Sequence, residues 1–572
     1  MDRKRDEQAG HSVEYHALTN AAYVICDELP ATGLNQDMHD PTVQLHIHDI
    51  VTSPGITNSD GLDGQISASL ISDAIKRLHP EAVKKVFQGQ ACDYPEFPRI
   101  HCLPAKPTRY RQFAGVSADE GTIEGTYKVH DDLFIEQLNL IEDKDFDQRL
   151  YLVHGDQLTV DRIRAVKRER QLATRSYDRR QWIHPVSSWF HIQMNLLNTI
   201  IRTHWDAPGA FQTAVHTISS DATRWGRSQS NRDSVKYHLM EPIVAQGFTA
   251  RVTALFYAAM QRRGIWNPHT SDMRHETIGT VIETLSTAQF LELVEDVRVT
   301  AFTRAAWSES IADVDFRTMC RMLQEVELFL TVRQAVKYGD IGMLRRVVDP
   351  LIVTFFGAAQ YSYGREMLYY RWNLSSVNTP ELQHAILSSG LVNWSGRSNS
   401  FKPIDLHLEH LNCSAKLDFK MLKNSTHDIG IIFRRTALCS TWVQAMRRQM
   451  EGIFGEDMPA THTSASAIPD MFLTATTILR DGYAEPRGER ALVGVRPFDS
   501  CDIFLIGINM LEERIEIFNN RHASGSALAE LDPAAIDDVN AIGEYARVFT
   551  EEFDALRDPT LSIPIIDLTY EG

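Results

Sequence analysis

Residues 150–170 constrain the fold more than any other stretch. Leu150, Tyr151, Leu152 and Val153 form an unbroken apolar run that reads as a buried strand. His154 and Gly155 end it, and Asp156 follows at its carboxyl end. Leu158, Asp161, Arg162 and Ala165 then recur at helical spacing, with no Pro or Gly before Pro185. A strand that turns directly into a helix calls for an α/β unit, and such units place chemistry where the strand ends. Asp156 also suits a helix N-cap. On this fragment alone the cap is the simpler reading.

Upstream, residues 12–30 read as a short helix. Val43, Leu45 and Ile47 alternate with Gln44, His46 and His48, the periodicity of a strand ending in Asp49. Thr52–Gly64 is a loop rich in Gly, Pro, Asn and Asp. Gln65–Ile71 reads as a second strand, Asp73–Phe87 as a helix and Arg99–Leu103 as a third strand. Tyr127–Phe146 has helical spacing. Trp182–Ser188 reads as a further strand, at an edge because of Pro185. From Trp189 to about Ser389 long apolar stripes of helical period recur, enough for an all-helical insertion. Gly390–Ser400 is a polar loop. Pro403 then opens a helix whose apolar stripe (Ile404, Leu408, Leu411) borders a polar one formed by Asp405, Glu409, Asn412 and Lys416. Residues 426–455 are expected to be helical. Ile503–Ile508 is strand-like, and an acidic tail begins at Ala527.

This order predicts an α/β plus α protein, an RNase H-like mixed sheet core interrupted by a large all-helical insertion. The expected divisions are a helical lead-in over 1–40, the first part of the core over 41–188, the insertion over 189–395, closing helices over 396–455, and a mixed region with the acidic tail over 456–572.

The 572 residues carry a net charge of −17, so any contact with a phosphate backbone must use local basic patches. The densest is Lys167, Arg168, Arg170, Arg175, Arg179 and Arg180, close behind Asp156. It reads equally well as a nucleic-acid contact or a solvated helix face. Seven cysteines without a C-x-x-C pair fit reduced thiols and argue against a zinc ribbon or a disulfide framework. Met1–Gln8 lacks the apolar core of a signal peptide, and no apolar run is read as membrane-spanning. No phosphate-binding G-x-x-x-x-G-K-S/T and no G-x-S-x-G elbow occurs.

Gly155-Asp156-Gln157-Leu158-Thr159 with Arg162-Ile163, Phe190 to Asn195, Tyr363-Gly364-Arg365, Asn393 to Arg397, and Asp405 with Glu409 to Asn412 together resemble a fungal domain family of unknown function. Its members look like transposon-derived proteins. The resemblance covers roughly Gln44–Lys423 and implies a DDE-type transposase fold with Asp49, Asp156 and Glu409 as the triad. It also implies an Asp-Asn pair at the end of the first strand, where this chain has Asp49-Ile50, and a longer segment before that strand. A nucleic-acid-binding amino-terminal region is therefore expected to be missing.

Clustered carboxylates repel one another, and a hard divalent cation, Mg or Mn, relieves that repulsion. Two such ions would serve phosphodiester transfer. The expectation is thus a metal-dependent DNA strand-transferase or nuclease with Asp49, Asp156 and Glu409 as metal ligands and catalytic carboxylates. Lys167, Arg168, Arg170, Arg179 and Arg180 would hold DNA, with His191, Arg365, Asp405 and Asn412 in supporting places. The alternative is a catalytically inactive, truncated or domesticated interaction protein. DNA is the expected partner, no membrane is expected, oligomeric state is left open, and the nucleus is favoured over the cytoplasm.

Overall fold

The structure is a computed structural model that describes residues 19–25, 33–88, 94–141, 145–146, 148–205, 217–227, 235–268, 273–303, 306, 313–377, 379–421, 429–454, 466–488 and 502–523. It is 65% helix and 8% strand. The strands form three separate two-stranded sheets among the described residues. β1 (Ala22–Ile25) pairs antiparallel with β2 (Arg109–Gln112), and β3 (Tyr151–Gly155) pairs parallel with β4 (Ile183–Ser187). β5 (Leu391–Asn393) pairs antiparallel with β6 (Phe401–Pro403). Among the described residues there is no RNase H-like mixed sheet, and that expectation is overturned.

The helices that frame the molecule are α1 (Leu62–Leu78), α2 (Gln157–Glu169), α3 (Trp189–His204), α4 (Tyr237–Arg262), α5 (Val314–Tyr338), α6 (Ile341–Gly357), α7 (Tyr361–Ser375), α8 (Ile404–Met421), α9 (Ile429–Phe454) and α10 (Ile503–Ala523). The strand at 150–153, the helix after Asp156 and the strand before Trp189 stand where the sequence places them. β3, α2 and β4 form one parallel β-α-β unit. Its pair of strands parts two cores, because alternate residues point to opposite faces. Tyr151, Val153 and Ile183 join a smaller core with Phe134, Phe146 and Trp182. Leu150, Leu152 and Val186 face the large core, which runs from Leu34 to Phe518. With one partner strand only, β4 tolerates Pro185 opposite Val153.

Several strand expectations fail for a common reason: the apolar residues meet helices. Residues 43–46 are irregular, and Ile47–Val51 is a short helix with Asp49 exposed in its first turn. Gln65–Ile71 lies inside α1, where Ile66, Leu70, Ile71, Ala74, Ile75 and Leu78 make a buried helical stripe. Arg99–Leu103 makes only an isolated bridge, Cys102 to Asp340. Ile503–Ile508 opens α10. Of residues 12–30, those described include β1 instead of a helix; 1–18 and 26–32 lie outside the described residues, as does the acidic tail.

From Trp189 to Ser388 the described elements are all helices. Contrary to the sequence reading, α4 is long and apolar enough to cross a membrane; 94% of its apolar window is buried among other helices. α6 and α10 cross closely at glycine. A methyl group on Gly507 would stand 1.9 Å from the Val353 carbonyl oxygen, so only hydrogen fits there.

A buried ion pair ties the β-α-β unit to the helical body. Arg164 of α2 donates from Nη1 and Nη2 to the two oxygens of Glu366 on α7, at 2.6 and 2.8 Å. Ser187 of β4 donates to the same carboxylate. The Arg164 guanidinium also lies 3.6 Å from the centre of the Tyr369 ring. Glu366 has no exposed surface. Removing one member of such a pair leaves a buried charge unbalanced, at a cost of roughly 3–5 kcal/mol. Arg164→Met should therefore lower urea-unfolding stability by about that much. Adding Glu366→Gln should restore part of the loss, whereas purely additive losses would show that the two charges do not interact.

Candidate functional site: a carboxylate crevice at the end of β3

The candidate site, called a crevice for the meeting of three elements, takes its side chains from the β3–α2 turn, the start of α3 and the first half of α8. Gly155 ends β3 because a side chain there would meet Thr159, at 2.7 Å from its Cβ. The Gly155 carbonyl accepts from the Ser188 N–H at 3.2 Å, which holds the start of α3 beside this turn. Asp156 is the N-cap of α2, its Oδ1 accepting from the Thr159 N–H at 2.8 Å. The cap reading is therefore correct. It engages one oxygen and leaves the carboxylate charge in place.

Asp405, on the first turn of α8, closes the opposite wall. Its Oδ1 accepts from the Phe190 N–H at 3.1 Å. Its Oδ2 accepts from the His191 N–H at 3.0 Å and from His191 Nδ1 at 2.9 Å. Asp405 thus caps α3 from another helix, satisfying N–H groups that a helix start leaves open. It is 5% exposed. Burial opposes a charge on His191, but the hydrogen bond and charge of Asp405, then the charges of Asp156 and Glu409, outweigh it and raise His191 to about 9. His191 is consequently an imidazolium at neutral pH, the cation of an acidic crevice. Burial lowers the neighbouring His154 to about 4, with Asp405 opposing; its Nε2 pairs with the Ser389 hydroxyl at 2.8 Å.

Glu120 is a third carboxylate that no spacing in the sequence marked. Crowding by the surrounding protein, then the like charges of Asp156, Asp119 and Glu409, push it up to about 7. Its side chain keeps an open surface. The structure thus pairs His191 with Asp405, and the charges of Asp156 and Glu409 reach both His191 and Glu120.

The remaining expected site residues lie elsewhere. Asp49 sits on the Ile47–Val51 helix, where its carbonyl accepts from Arg371 at 3.4 Å. It is not among the charges that act on Glu120 or His191. Arg365 pairs with Asp161 of α2 at 2.9 Å, and Asn412 accepts from Asn20 at 2.9 Å. Lys167 donates to the Ile183 carbonyl at 2.6 Å; burial, then Arg164, lower its amine to about 8. Arg180 is buried on the Tyr177 ring and paired with Asp131. Arg179 donates to the carbonyls of Ala173 and Thr174. Of the five only Arg168 and Arg170 are exposed, Arg170 lying over the Tyr127 ring at 4.8 Å.

The oxygen donors of Asp156, Glu409 and Glu120 are of the kind that magnesium or manganese takes. Among the described residues, however, no three His, Cys, Asp or Glu side chains are grouped closely enough to hold one ion. The chemistry of the donors fits, and their convergence is incomplete.

The His191–Asp405 pair has a pH signature. A folded-state value of about 9 lies above the ordinary 6.5, so protonation favours the folded chain. The stabilisation is fully present below pH 6.5 and is lost as pH rises through 9. Asp405→Asn retains an oxygen for capping and removes the charge. Urea unfolding should show the wild type losing stability between pH 6.5 and 9 more steeply than this variant. Parallel pH profiles would rule out a charged pair.

No curated protein and no solved structure matches this chain. Residues 51–462, more than half of the sequence, match a family described as "Family of unknown function (DUF6589)". The matched span contains the β-α-β unit, the helices from α1 to α9 and the carboxylate crevice, and the chain belongs to this family of unknown function.

Proposed function

We propose that the crevice at the end of β3 processes nucleic-acid phosphodiesters, by cleavage or strand transfer, in a transposon-derived protein. One observation carries this reading: Asp156 and Glu409, far apart in the chain, act on the same two groups, Glu120 and His191. The motif resemblance pairs the same two carboxylates. In this reading Asp156 and Glu409 are the reaction carboxylates and Glu120 takes the place expected of Asp49. His191, protonated at neutral pH, balances a phosphate that enters the crevice. Arg168 and Arg170, exposed at the end of α2, hold the backbone by charge. Magnesium or manganese, when bound, would supply Lewis-acid charge stabilisation; Asp156, Glu409 and Glu120 are the side chains that would have to close on it.

The second reading is a non-catalytic interaction protein on the same scaffold, located in the nucleus. Two features favour it: Asp49 stands outside the crevice, and His191 already supplies a cation to its carboxylates.

Asp156→Asn separates the readings, because Asn caps a helix about as well as Asp. A ligand bound only by the folded state raises the melting temperature. On the first reading, manganese stabilises the wild type and not the variant, and labelled DNA is cleaved by the wild type alone. The same manganese response in both proteins, with no cleavage, would leave Asp156 as a cap and favour the second reading.

A further inference from the structure

α9 offers an apolar face to solvent. Ile431, Leu438, Trp442, Met446 and Met450 are all exposed, Trp442 by 75% and Met446 by 61%. At 100° per residue these positions fall on one side of the helix. Phe433 and Ala437, on the opposite side, are buried, and α8 packs along α9. Single exposed apolar side chains are ordinary, whereas Leu438, Trp442, Met446 and Met450 on successive turns mark a docking surface, with the exposed Arg435 on the same face before them. α9 is also basic in a chain that is acidic overall: its sequence holds Arg434, Arg435, Arg447 and Arg448 against Glu451, and Arg434 is already paired with Asp132 at 2.6 Å.

The chain contains a segment complementary in both respects. Beyond α10, residues 533–557 carry Ile536, Val539, Ile542, Phe549, Phe553 and Leu556 at helical spacing. Asp532 and Pro533 precede this stripe, the residue types that favour an N-cap and a first helical position. Six carboxylates against two arginines give residues 533–557 a net charge of −4, opposite in sign to that of α9. The segment lies outside the described residues. The stretch from Ala523 to Asp532 can reach about 30 Å when extended, at roughly 3.3–3.6 Å per residue. We propose that residues 533–557 dock on the Leu438–Trp442–Met446 face of α9 in the same chain, apolar stripe to apolar stripe, their net negative charge matched to the positive charge of the α9 sequence. A second copy of α9 is the poorer occupant, because it sets four arginines against four.

Hydrogen exchange on the full chain tests this. Amides of 533–557 should exchange at least tenfold more slowly than in a free peptide of the same sequence. Trp442→Asp combined with Met446→Asp, both at exposed positions, should return them to the free-peptide rate and leave α6 protected as before. Free-peptide exchange in the wild type would overturn the proposal, as would protection that survives the double substitution. Protection that rises with protein concentration, with a dimer in sedimentation that the double substitution dissolves, would assign the face to a second copy and overturn it as well.

Discussion

The buried pair between Arg164 and Glu366 holds the architecture in register. Parallel strands need a crossover element, and here α2 supplies it between β3 and β4. A two-stranded sheet cannot by itself fix the angle of that helix. The bidentate bond across to α7, with Ser187 donating from β4, sets α2 and β4 against the helical body at one point. Such a pair contributes little net stability when compared with apolar replacements, and its role is registry. Arg164 is committed further by Asp161, which also binds Arg365.

Parts of this arrangement are legible in the sequence, and the physical reasons are local. β3 could be read because it is a short apolar run with clear ends, and β4 because Trp182, Ile183 and Val186 set apolar residues around Pro185. The cap at Asp156 could be read because a carboxylate preceding a helical stripe has few other local roles. Val43–Asp49 misleads because three alternating apolar residues satisfy a strand template and equally an irregular lead into a helix. Ile503–Ile508 misleads because a short continuous apolar run has no period to separate a strand from a buried helix. The sheet order could not be read at all. β1 pairs with β2 across more than eighty residues, and nothing in either strand names its partner.

The crevice shows the same division. Asp405 lay on a polar stripe next to an apolar one, which placed it near the core but not at the start of α3. Its role as a cap for another helix is a long-range contact without a sequence signal. Glu120 sits in a turn and joins the crevice only through folding. Lys167 and Arg180 looked like a nucleic-acid surface because charge density ignores direction. In the fold one points to a strand carbonyl and the other lies on aromatic rings. What remains of the basic patch is Arg168 and Arg170, at the outer end of the helix that Asp156 begins.

The central claim is that Asp156 and Glu409 converge beside His191. Nuclear magnetic resonance titration of the His191 ring in the wild type, Asp156→Asn and Glu409→Gln proteins tests it most directly. Both carboxylates raise the His191 value in the folded chain, so it should fall from the wild-type value of about 9 in each variant, with the Asp405 bond intact. A His191 titration that is the same in all three proteins would contradict the convergence.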